Sequence, residues 1–323
     1  MLEINLNASP NTDSKDLQTV YDFAVIGGGP AGLNAALYAY RKGLKVVVIA
    51  PSLGGQLLNT NIIDNVLGFN EVSGQELTNK YLNHLDFEEI THLYQMVIGL
   101  KKDETKNLFE ITLDDEKVIT AKSTLLAMGA LPRKLGVPGE EEFTNRGLTY
   151  CAICDGPLFK GKDIAIVGGG NSAIEAVIDL SKIVRHITLV HRSTFRADAW
   201  LLNKFKDLPN VTVLMPARVE NIKGDNLLRS IEVLDLNTNQ ISEVEINGLF
   251  IEIGVIPNSD LVKDLVTTNQ SNEIIVDDKQ MTSIPGLFAA GDITEQKFKQ
   301  ITISLAEGAK AALYANEYLT KGE

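Results

Sequence analysis

Two glycine-rich turns of the same form occur in this chain of 323 residues, GGGPAG at 27–32 and GGGNSA at 168–173. Each turn follows a short apolar run rich in β-branched residues and precedes a stretch with the apolar spacing of a helix. A single Gly-x-Gly-x-x-Gly pattern is a weak indicator. Between a strand and a helix, however, it is typical of the turn that binds a dinucleotide pyrophosphate. The two copies therefore predict two dinucleotide-binding domains rather than two structural turns.

The segments around the turns predict an α/β fold. In the first copy a strand at 22–26 leads to a helix at 30–42, which Gly43 ends, and to a strand at 45–49. The second copy repeats this order with a strand at 163–167, a helix at about 172–183 and a strand at 186–190. Apolar strands that end in Gly-x-x-Pro, at 124–132 and 249–257, close the two copies. Strands that alternate with helices predict parallel sheets in two Rossmann-like domains.

The order of these segments predicts that the second domain is inserted into the first. The part after residue 257 is too short for a third domain, so its strand at 286–292 and its helix at about 300–319 are expected to join the first sheet. The first domain would then comprise 21–133 and 259–323, and the insert would comprise 134–258, tethered by two strands that form a natural hinge. Residues 1–20 are predicted to be an N-terminal extension.

Composition argues against several functional classes. The net charge of −12 argues against nucleic acid and against an anionic membrane as partners, although it also suits solubility alone. No apolar run approaches the roughly 18 residues of a membrane span. The first twenty residues lack the features of a signal peptide, so a cytoplasmic location is expected. The four histidines and two cysteines have no metal-site spacing, and no metal site is predicted.

The only two cysteines, Cys151 and Cys154, are separated by two residues, so their sulfurs can form a disulfide. This spacing lowers thiol pKa values and favours a redox pair over inert structural thiols. A zinc site would need a second pair of ligands that the chain does not have. Asp155 follows directly, and two interpretations of it stay open. It is either an acid that serves the outgoing thiolate or the first residue of an Asp-Gly-Pro turn.

In the first glycine turn, Gly27 permits the tight turn, Gly29 the close approach of a pyrophosphate, and Gly32 the close packing of the helix. No acidic residue ends the second strand of this copy, so the ribose contact would come from the backbone or from Ser52. Asp292 ends a predicted strand at the carboxyl edge of the sheet. Its carboxylate is placed either to accept hydrogen bonds from ribityl hydroxyls or to cap the next segment.

In the second turn Ala173 takes the place of the third glycine, which this pattern tolerates. No carboxylate follows the strand at 186–190, whereas Arg192 and Arg196 do. Guanidinium groups form charge-assisted hydrogen bonds with a 2′-phosphate, and this favours NADPH over NADH. The alternative is a solvated basic loop without a ligand.

Together these residues resemble the low-molecular-weight thioredoxin reductase family from about residue 21 to 319. The matching motifs are 27–32, GGQL at 54–57, DN at 64–65, CAICDG at 151–156, 168–173, His191 with Arg192 and Arg196, and GD at 291–292. Four segments are more similar to the flavoprotein subunit of alkyl hydroperoxide reductase, at 155–162, 250–258, 298–303 and 307–310. That flavoprotein has an extra N-terminal dithiol domain, for which this chain has neither room nor cysteines. The resemblance therefore implies a reductase that needs a separate dithiol protein.

The resemblance also implies a homodimer, with FAD in the first domain and NADPH in the second, beside the redox pair. It implies that Cys154 faces the flavin, Cys151 attacks the partner disulfide and Asp155 supplies the proton. The predicted cofactor-binding residues of the first domain are Gly27, Gly29, Pro30, Ala31, Gly32, Gly55, Gln56, Asn65, Gly129, Gly291, Asp292, Lys299, Gln300 and Ile301. Those of the second domain are Gly168, Gly170, Asn171, Ser172, Ala173, His191, Arg192, Arg196, Ile253 and Gly254.

The predicted electron path runs from NADPH to FAD, to Cys151–Cys154, and then as thiolate exchange to a protein disulfide, with thioredoxin as the expected partner. Because the nicotinamide and the cysteines must reach the same flavin face, the insert domain is expected to rotate. Ser193 stands where the family often has another arginine, so a variant fed by ferredoxin is an alternative. Another thioredoxin-like or peroxiredoxin partner is a second alternative. The second glycine turn argues against a dithiol oxidase, and the cysteine pair argues against a non-catalytic flavin module.

Overall fold

The computed structural model describes residues 19–85 and 89–321. These residues form two compact units. Unit 1 contains the described residues up to Leu131 and from Ile256 onward, and unit 2 is Pro132–Val255. The predicted insertion of one Rossmann-like domain into another is confirmed. Residues 1–18 of the predicted extension lie outside the described residues, and Val20 already belongs to the first strand.

Unit 1 contains a seven-stranded sheet with five parallel strands and two antiparallel strands at one edge. The parallel strands are β1 (Val20–Ile26), β2 (Val46–Ile49), β3 (Thr91–Leu93), β6 (Val118–Leu126) and β17 (Leu287–Ala289). The edge strands are β4 (Val97–Asp103) and β5 (Leu108–Leu113), and the order is β3-β2-β1-β6-β5-β4 with β17 on β6. Pairing of β17 with β6 confirms that the C-terminal segment returns to the first sheet.

The helices of unit 1 are α1 (Pro30–Arg41), α2 (Gly74–His84) and α7 (Ile301–Lys321), with a 3₁₀ helix at Gly55–Asn59. Small residues line the side of α1 that is buried, among them Ala31, Ala35 and Ala39. The buried residues of α7 are also mostly small, and a Cβ on Gly308 would lie only 2.0 Å from the Ala31 carbonyl oxygen. The backbones of α1 and α7 therefore approach closely, which fixes the helix that follows the first glycine turn.

Unit 2 contains a parallel sheet of order β11-β10-β9-β15-β8. Its strands are β8 (Leu148–Thr149), β9 (Asp163–Val167), β10 (His186–Val190), β11 (Val211–Leu214) and β15 (Gly248–Ile251). An antiparallel sheet of β12 (Ala217–Gly224), β13 (Leu228–Asp235) and β14 (Ile241–Glu245) packs on it through a shared apolar cluster. The helices are α3 (Glu140–Phe143), α4 (Ala152–Asp155), α5 (Asn171–Leu180) and α6 (Ala199–Phe205), with a 3₁₀ helix at Gly156–Phe159.

The chain passes between the units at β7 (Ala130–Pro132) and β16 (Val255–Pro257), which pair with each other. The prediction of parallel sheets was incomplete, because β4–β5 and β12–β14 are antiparallel. Consecutive strands joined by short turns can pair only in this way, whereas parallel neighbours need a crossover. None of the described helices is long and apolar enough to cross a membrane.

Candidate functional site

The backbone of the first glycine turn is packed so closely that it leaves no room for side chains at Gly27 and Gly32. Gly27 has a φ of +119°, and a Cβ there would lie 2.2 Å from the Ala127 carbonyl oxygen. A Cβ on Gly32 would lie 2.0 Å from the Gly27 carbonyl oxygen, so the turn closes on the start of α1. A Cβ on Gly55 would lie 3.0 Å from the Gly29 Cα atom. Bare backbone thus lines the N-terminal end of α1, as the close approach of a pyrophosphate requires.

The structure brings the other predicted residues of the first domain to this turn. The nearest atom to a Cβ on Gly291 is the Ala31 Cβ, at 3.1 Å, and Asn65 Nδ2 donates to Gln300 Oε1 at 3.2 Å. Gln56 Nε2 donates to the carbonyl oxygen of Ala130, one residue after Gly129. Ile301 packs on the apolar cluster that includes Leu57. Pro30 and Ala31 open α1, so these segments of unit 1 surround one cradle.

Asp292 lies in a cluster of largely buried charges beside this cradle. Its Oδ1 accepts a hydrogen bond from Ser304 Oγ at 3.4 Å. Burial raises the pKa of Asp292, Lys299 and Ser304 act in the opposite direction, and Glu307 adds to the rise. Lys299 Nζ lies 3.0 Å from Glu273 Oε1 and donates to the Thr294 carbonyl oxygen at 2.5 Å. Lys299 therefore neutralises part of the charge at this end of the sheet.

Glu273 and Glu307 were not predicted from the sequence. Glu307 accepts hydrogen bonds from Gly291 N at 2.8 Å and from Gln296 Nε2 at 3.1 Å, so it holds the backbone next to Asp292. The available signal was a glutamate inside the otherwise small and apolar start of α7. Glu273 had no such signal, because its ion pair with Lys299 depends on tertiary structure.

At its first residue, the second glycine turn also packs against backbone too closely to admit a side chain. Gly168 has a φ of +154°, and a Cβ there would lie 2.3 Å from the Glu252 carbonyl oxygen. A Cβ on Gly170 would meet nothing within 4 Å, which leaves the turn open where α5 begins. Asn171 Nδ2 donates to Asp198 Oδ2 at 3.0 Å, while Asp198 N donates to Asn171 Oδ1 at 2.9 Å. This turn has the same form as the first and fits a second pyrophosphate.

His191 lies beneath this turn rather than on its open side. Only 6% of its surface is exposed, and a Cβ on Gly169 would lie 2.3 Å from the imidazole ring. The ring stacks on Phe195 and forms a hydrogen bond to the Thr194 carbonyl oxygen at 3.1 Å. His191 therefore supports the turn, and its direct contact with a nucleotide stays a prediction.

Arg192 and Arg196 are exposed at the carboxyl end of β10, as expected for residues that meet a phosphate. Arg196 N donates to the Gly169 carbonyl oxygen at 2.8 Å, which holds this loop against the turn. Across residues 19–85 and 89–321, the arginines that form ion pairs are Arg185, Arg218 and Arg229. Both predicted guanidinium groups are thus available to an anion.

The remaining predicted residues of the second domain lie at the same edge of the sheet. Ser172 is exposed and Ala173 is buried in the first turn of α5. Ile253 and Gly254 follow β15, and Gly254 has a φ of +94°. Arg133 N donates to the Gly254 carbonyl oxygen at 3.0 Å. The structure thereby groups all ten predicted residues around the carboxyl ends of β9, β10 and β15.

Cys151 and Cys154 form a disulfide, with their Cα atoms 5.3 Å apart. Cys151 precedes α4, and its Sγ accepts a hydrogen bond from Cys154 N at 3.2 Å. Both cysteines are partly exposed, and Ile153 between them is 61% exposed. The described residues contain no group of three or more metal-ligating side chains. An accessible disulfide on a short helical turn is suited to thiol–disulfide exchange.

Asp155 ends α4, and its carboxylate accepts a hydrogen bond from Thr149 Oγ1. Its backbone N donates to the Cys151 carbonyl oxygen at 3.1 Å. Its side chain does not cap the 3₁₀ helix that follows. Thr149 thus holds the Asp155 carboxylate on the turn that carries the cysteines, and its role as an acid stays a prediction.

Glu252 is a further residue that was not predicted from the sequence. It directly follows β15, and its Oε1 accepts a hydrogen bond from Ala152 N at 3.1 Å. Burial raises the pKa of Glu252 from 4.5 to about 7, and only the Ala152 N–H acts in the opposite direction. The signal in the sequence was an acidic residue at the end of the apolar run 249–251.

Replacing Glu252 with Gln is expected to change how stability depends on pH. A carboxyl whose pKa is raised by folding stabilises the fold fully below pH 4.5 and loses that contribution as the pH rises to about 7. Between about pH 5.5 and 8.5 the wild type should lose about 2 kcal/mol of unfolding free energy relative to E252Q. Urea unfolding measures this difference. E245Q, at an exposed glutamate of β14, is the control, and parallel pH curves for wild type and E252Q would contradict the expectation.

Comparison with known proteins gives the chain its family. The model of the pyridine nucleotide-disulphide oxidoreductase family matches residues 21–308. The chain belongs to this family. Its fold superposes on thioredoxin reductase from Streptococcus pyogenes MGAS5005 with a TM-score of 0.88 and 36% identity, covering 94% of this chain and 99% of that one. Membership in this family implies a flavin and a nicotinamide nucleotide as cofactors, and the two glycine cradles fit them.

Two relatives carry other names. A protein of Bacillus subtilis (strain 168) named NADH dehydrogenase is 42% identical over 325 residues, which cover 99% of this chain and 63% of the relative. The F subunit of alkyl hydroperoxide reductase from Staphylococcus aureus (strain MRSA252) is 39% identical over 93% of this chain and 59% of the relative. The chain spans about three fifths of the length of these curated relatives. The similarity to alkyl hydroperoxide reductase expected from the sequence is confirmed.

Proposed function

We propose that this protein is an NADPH-dependent dithiol–disulfide oxidoreductase that reduces a disulfide in a partner protein, most directly thioredoxin. The observation that carries the proposal is the partly exposed Cys151–Cys154 disulfide, which lies in the same unit as the second glycine turn. When bound, the nicotinamide nucleotide supplies hydride and the flavin relays its two electrons to the disulfide. The protein must bind both groups, keep the cysteines accessible and manage one proton.

In unit 1 the residues are arranged to hold FAD. The bare backbone of Gly27, Gly29 and Gly55 suits the pyrophosphate, and the N-terminal N–H groups of α1 favour its negative charge. Asp292 is placed at the carboxyl edge of the sheet, where its carboxylate can accept hydrogen bonds from ribityl hydroxyls. The hydrogen-bonded pair Asn65–Gln300 borders the same cradle.

In unit 2 the preference for NADPH rests on Arg192 and Arg196, whose side chains are exposed beside the glycine turn. The relative named NADH dehydrogenase favours the second candidate, an NADH-dependent enzyme. The two candidates differ in one property, the contribution of these arginines to binding of the 2′-phosphate.

The double variant R192A/R196A is expected to raise KM for NADPH by about tenfold or more, since it removes charge-assisted hydrogen bonds to the 2′-phosphate. KM for NADH should change by less than about twofold, because NADH lacks that phosphate. Steady-state kinetics with both nucleotides measure this split. R229A removes an exposed arginine elsewhere in unit 2 and is the control. Equal changes in both KM values would favour the NADH-dependent candidate.

Within the redox site we assign the attack on the partner to Cys151, the exchange with flavin to Cys154 and the proton to Asp155. Cys151 is the residue before α4 and Cys154 is part of α4, so the two cysteines have different backbone environments. The Thr149 hydroxyl orients the Asp155 carboxylate at the end of the same turn. A proton-donating group there suits a step in which one sulfur leaves as thiolate.

An assay of NADPH and NADH oxidation with purified partners tests the proposal. Thioredoxin, a thioredoxin-like dithiol domain and a peroxiredoxin serve as acceptors, and ferredoxin is tested as an alternative electron donor. Turnover with a thioredoxin-type protein supports the proposal, and turnover with a peroxiredoxin alone favours a role in a peroxide-reducing system. Absence of turnover with either nucleotide would overturn it. The homodimer, the rotation of the insert domain and the cytoplasmic location stay predictions.

A further inference from the structure

Glu252 connects the redox pair to the second glycine turn. Its backbone N donates to the Val167 carbonyl oxygen at 2.8 Å, and its carbonyl oxygen would lie only 2.3 Å from a Cβ on Gly168. The backbone of Glu252 is therefore fixed by β9 and by the turn. From this position its side chain extends to Ala152 N, at 3.1 Å from Oε1. That nitrogen forms the peptide bond with Cys151, so four covalent bonds separate it from the Cys151 sulfur.

The surroundings of Glu252 leave its carboxyl without a compensating charge. Charged or titratable side chains on the neighbouring segments include Asp155 on α4, Tyr150 after β8, His191 beneath the glycine turn, and Arg133 beside Gly254. In the part of the chain that the structure describes, none of them forms an ion pair with Glu252. Burial dominates, and the pKa of the carboxyl rises to about 7 for that reason. A buried carboxyl without a cation gains or loses its proton according to nearby charge.

We propose that Glu252 is a positioning residue for the redox pair: its carboxyl holds the Cys151–Ala152 amide and controls, through its own proton, how much Cys151 thiolate is present. In the oxidised protein the disulfide carries no charge. Reduction produces a thiolate four covalent bonds from the nitrogen that donates to Glu252, so an ionised Glu252 and a Cys151 thiolate repel each other. The two groups then share one negative charge near neutral pH and titrate as a coupled pair. This proposal rests on the disulfide-reductase function only in requiring that the cysteines become reduced.

The sign of the effect follows from this repulsion. An ionised Glu252 opposes the thiolate, whereas a protonated one does not. In E252Q the thiolate should therefore form at a lower pH, with its midpoint lowered by about one pH unit. Gln retains an oxygen that accepts the Ala152 N–H, so the substitution removes the charge and keeps the hydrogen bond.

The experiment measures the pH profile of the reduced cysteines. Wild type, E252Q and E245Q are reduced anaerobically with dithiothreitol, desalted and treated with iodoacetamide from about pH 5 to about pH 10. Mass spectrometry then separates alkylation of Cys151 from that of Cys154, and ultraviolet thiolate absorbance gives an independent profile. The wild type should show two steps at Cys151. E252Q should show one step at lower pH and react several-fold faster near pH 7, and E245Q should follow the wild type.

Two outcomes would overturn the proposal. One is an E252Q profile that overlies that of the wild type. The other is an equal change in rate at every pH with an unchanged midpoint, which is what a merely structural role of Glu252 would produce. Because the reductant and the alkylating agent are small molecules, the result does not depend on which nucleotide or partner protein the enzyme uses. Failure of the proposed function would instead appear in the assay with NADPH and partner proteins.

Discussion

Replacing Cys151 with Ser is expected to lower reduction of a partner disulfide by about 10³-fold or more, because a hydroxyl does not replace a thiolate as nucleophile. Reduction of the flavin by the nucleotide should change by less than about twofold, since that step precedes the cysteines. The serine oxygen can still accept the Cys154 N–H that now meets the Cys151 sulfur, so the local fold is retained. Partner turnover and anaerobic bleaching of the flavin measure the two steps separately.

Cys154→Ser is the matched control for this experiment. It leaves Cys151 as a free thiol, which should trap the partner as a stable mixed disulfide that a non-reducing gel detects. C151S should form no such complex. The reverse pattern would exchange the assigned roles of the two cysteines, and full turnover in C151S would remove Cys151 from the electron path.

Replacing Gly308 with Ala is expected to separate α7 from α1 and to weaken flavin binding. The added Cβ would lie 2.0 Å from the carbonyl oxygen of Ala31 and 3.0 Å from its Cα atom. These are backbone atoms that cannot rotate away, so the helices must move. Overpacking of this kind costs about 3 kcal/mol. Because α1 begins at the first glycine turn, the same movement should open the predicted pyrophosphate cradle.

The ratio of flavin to protein after purification and the thermal midpoint measure the effect of G308A. Ala306→Ser also adds one heavy atom to α7, but at an exposed position, and should behave as the wild type. A G308A protein that retains its flavin and melts at the wild-type temperature would show that the α1–α7 contact does not support the cofactor site.

Features determined by local sequence were predicted well. The glycine turns, the strands and helices beside them and the cysteine pair were correctly placed, because each depends on the φ angles and apolar spacing of a few consecutive residues. The return of β17 to the first sheet was also predictable, since the last segment is too short to form its own core. The antiparallel strands β4–β5 and β12–β14 were missed because they lie away from the glycine turns, in segments to which no motif assigned a structure.

The parts of the site that were missed depend on contacts between distant residues. Glu252 meets Ala152 only because β15 lies next to β8 in the folded sheet, and Lys299 meets Glu273 across a loop. His191 shows that a residue predicted from its position in the sequence can have a different place in the folded protein. It follows a strand at the position of a nucleotide ligand, yet the missing Cβ of Gly169 makes room for its ring beneath the turn.

The electron path from nucleotide to cysteines is tested most directly by counting thiols. The protein, with its flavin bound, is incubated anaerobically with excess NADPH or NADH, alkylated after denaturation, and analysed by mass spectrometry. We expect bleaching of the flavin together with alkylation of both Cys151 and Cys154, and no alkylation of either cysteine without nucleotide. A bleached flavin with an intact disulfide, or no bleaching with either nucleotide, would contradict the proposed path.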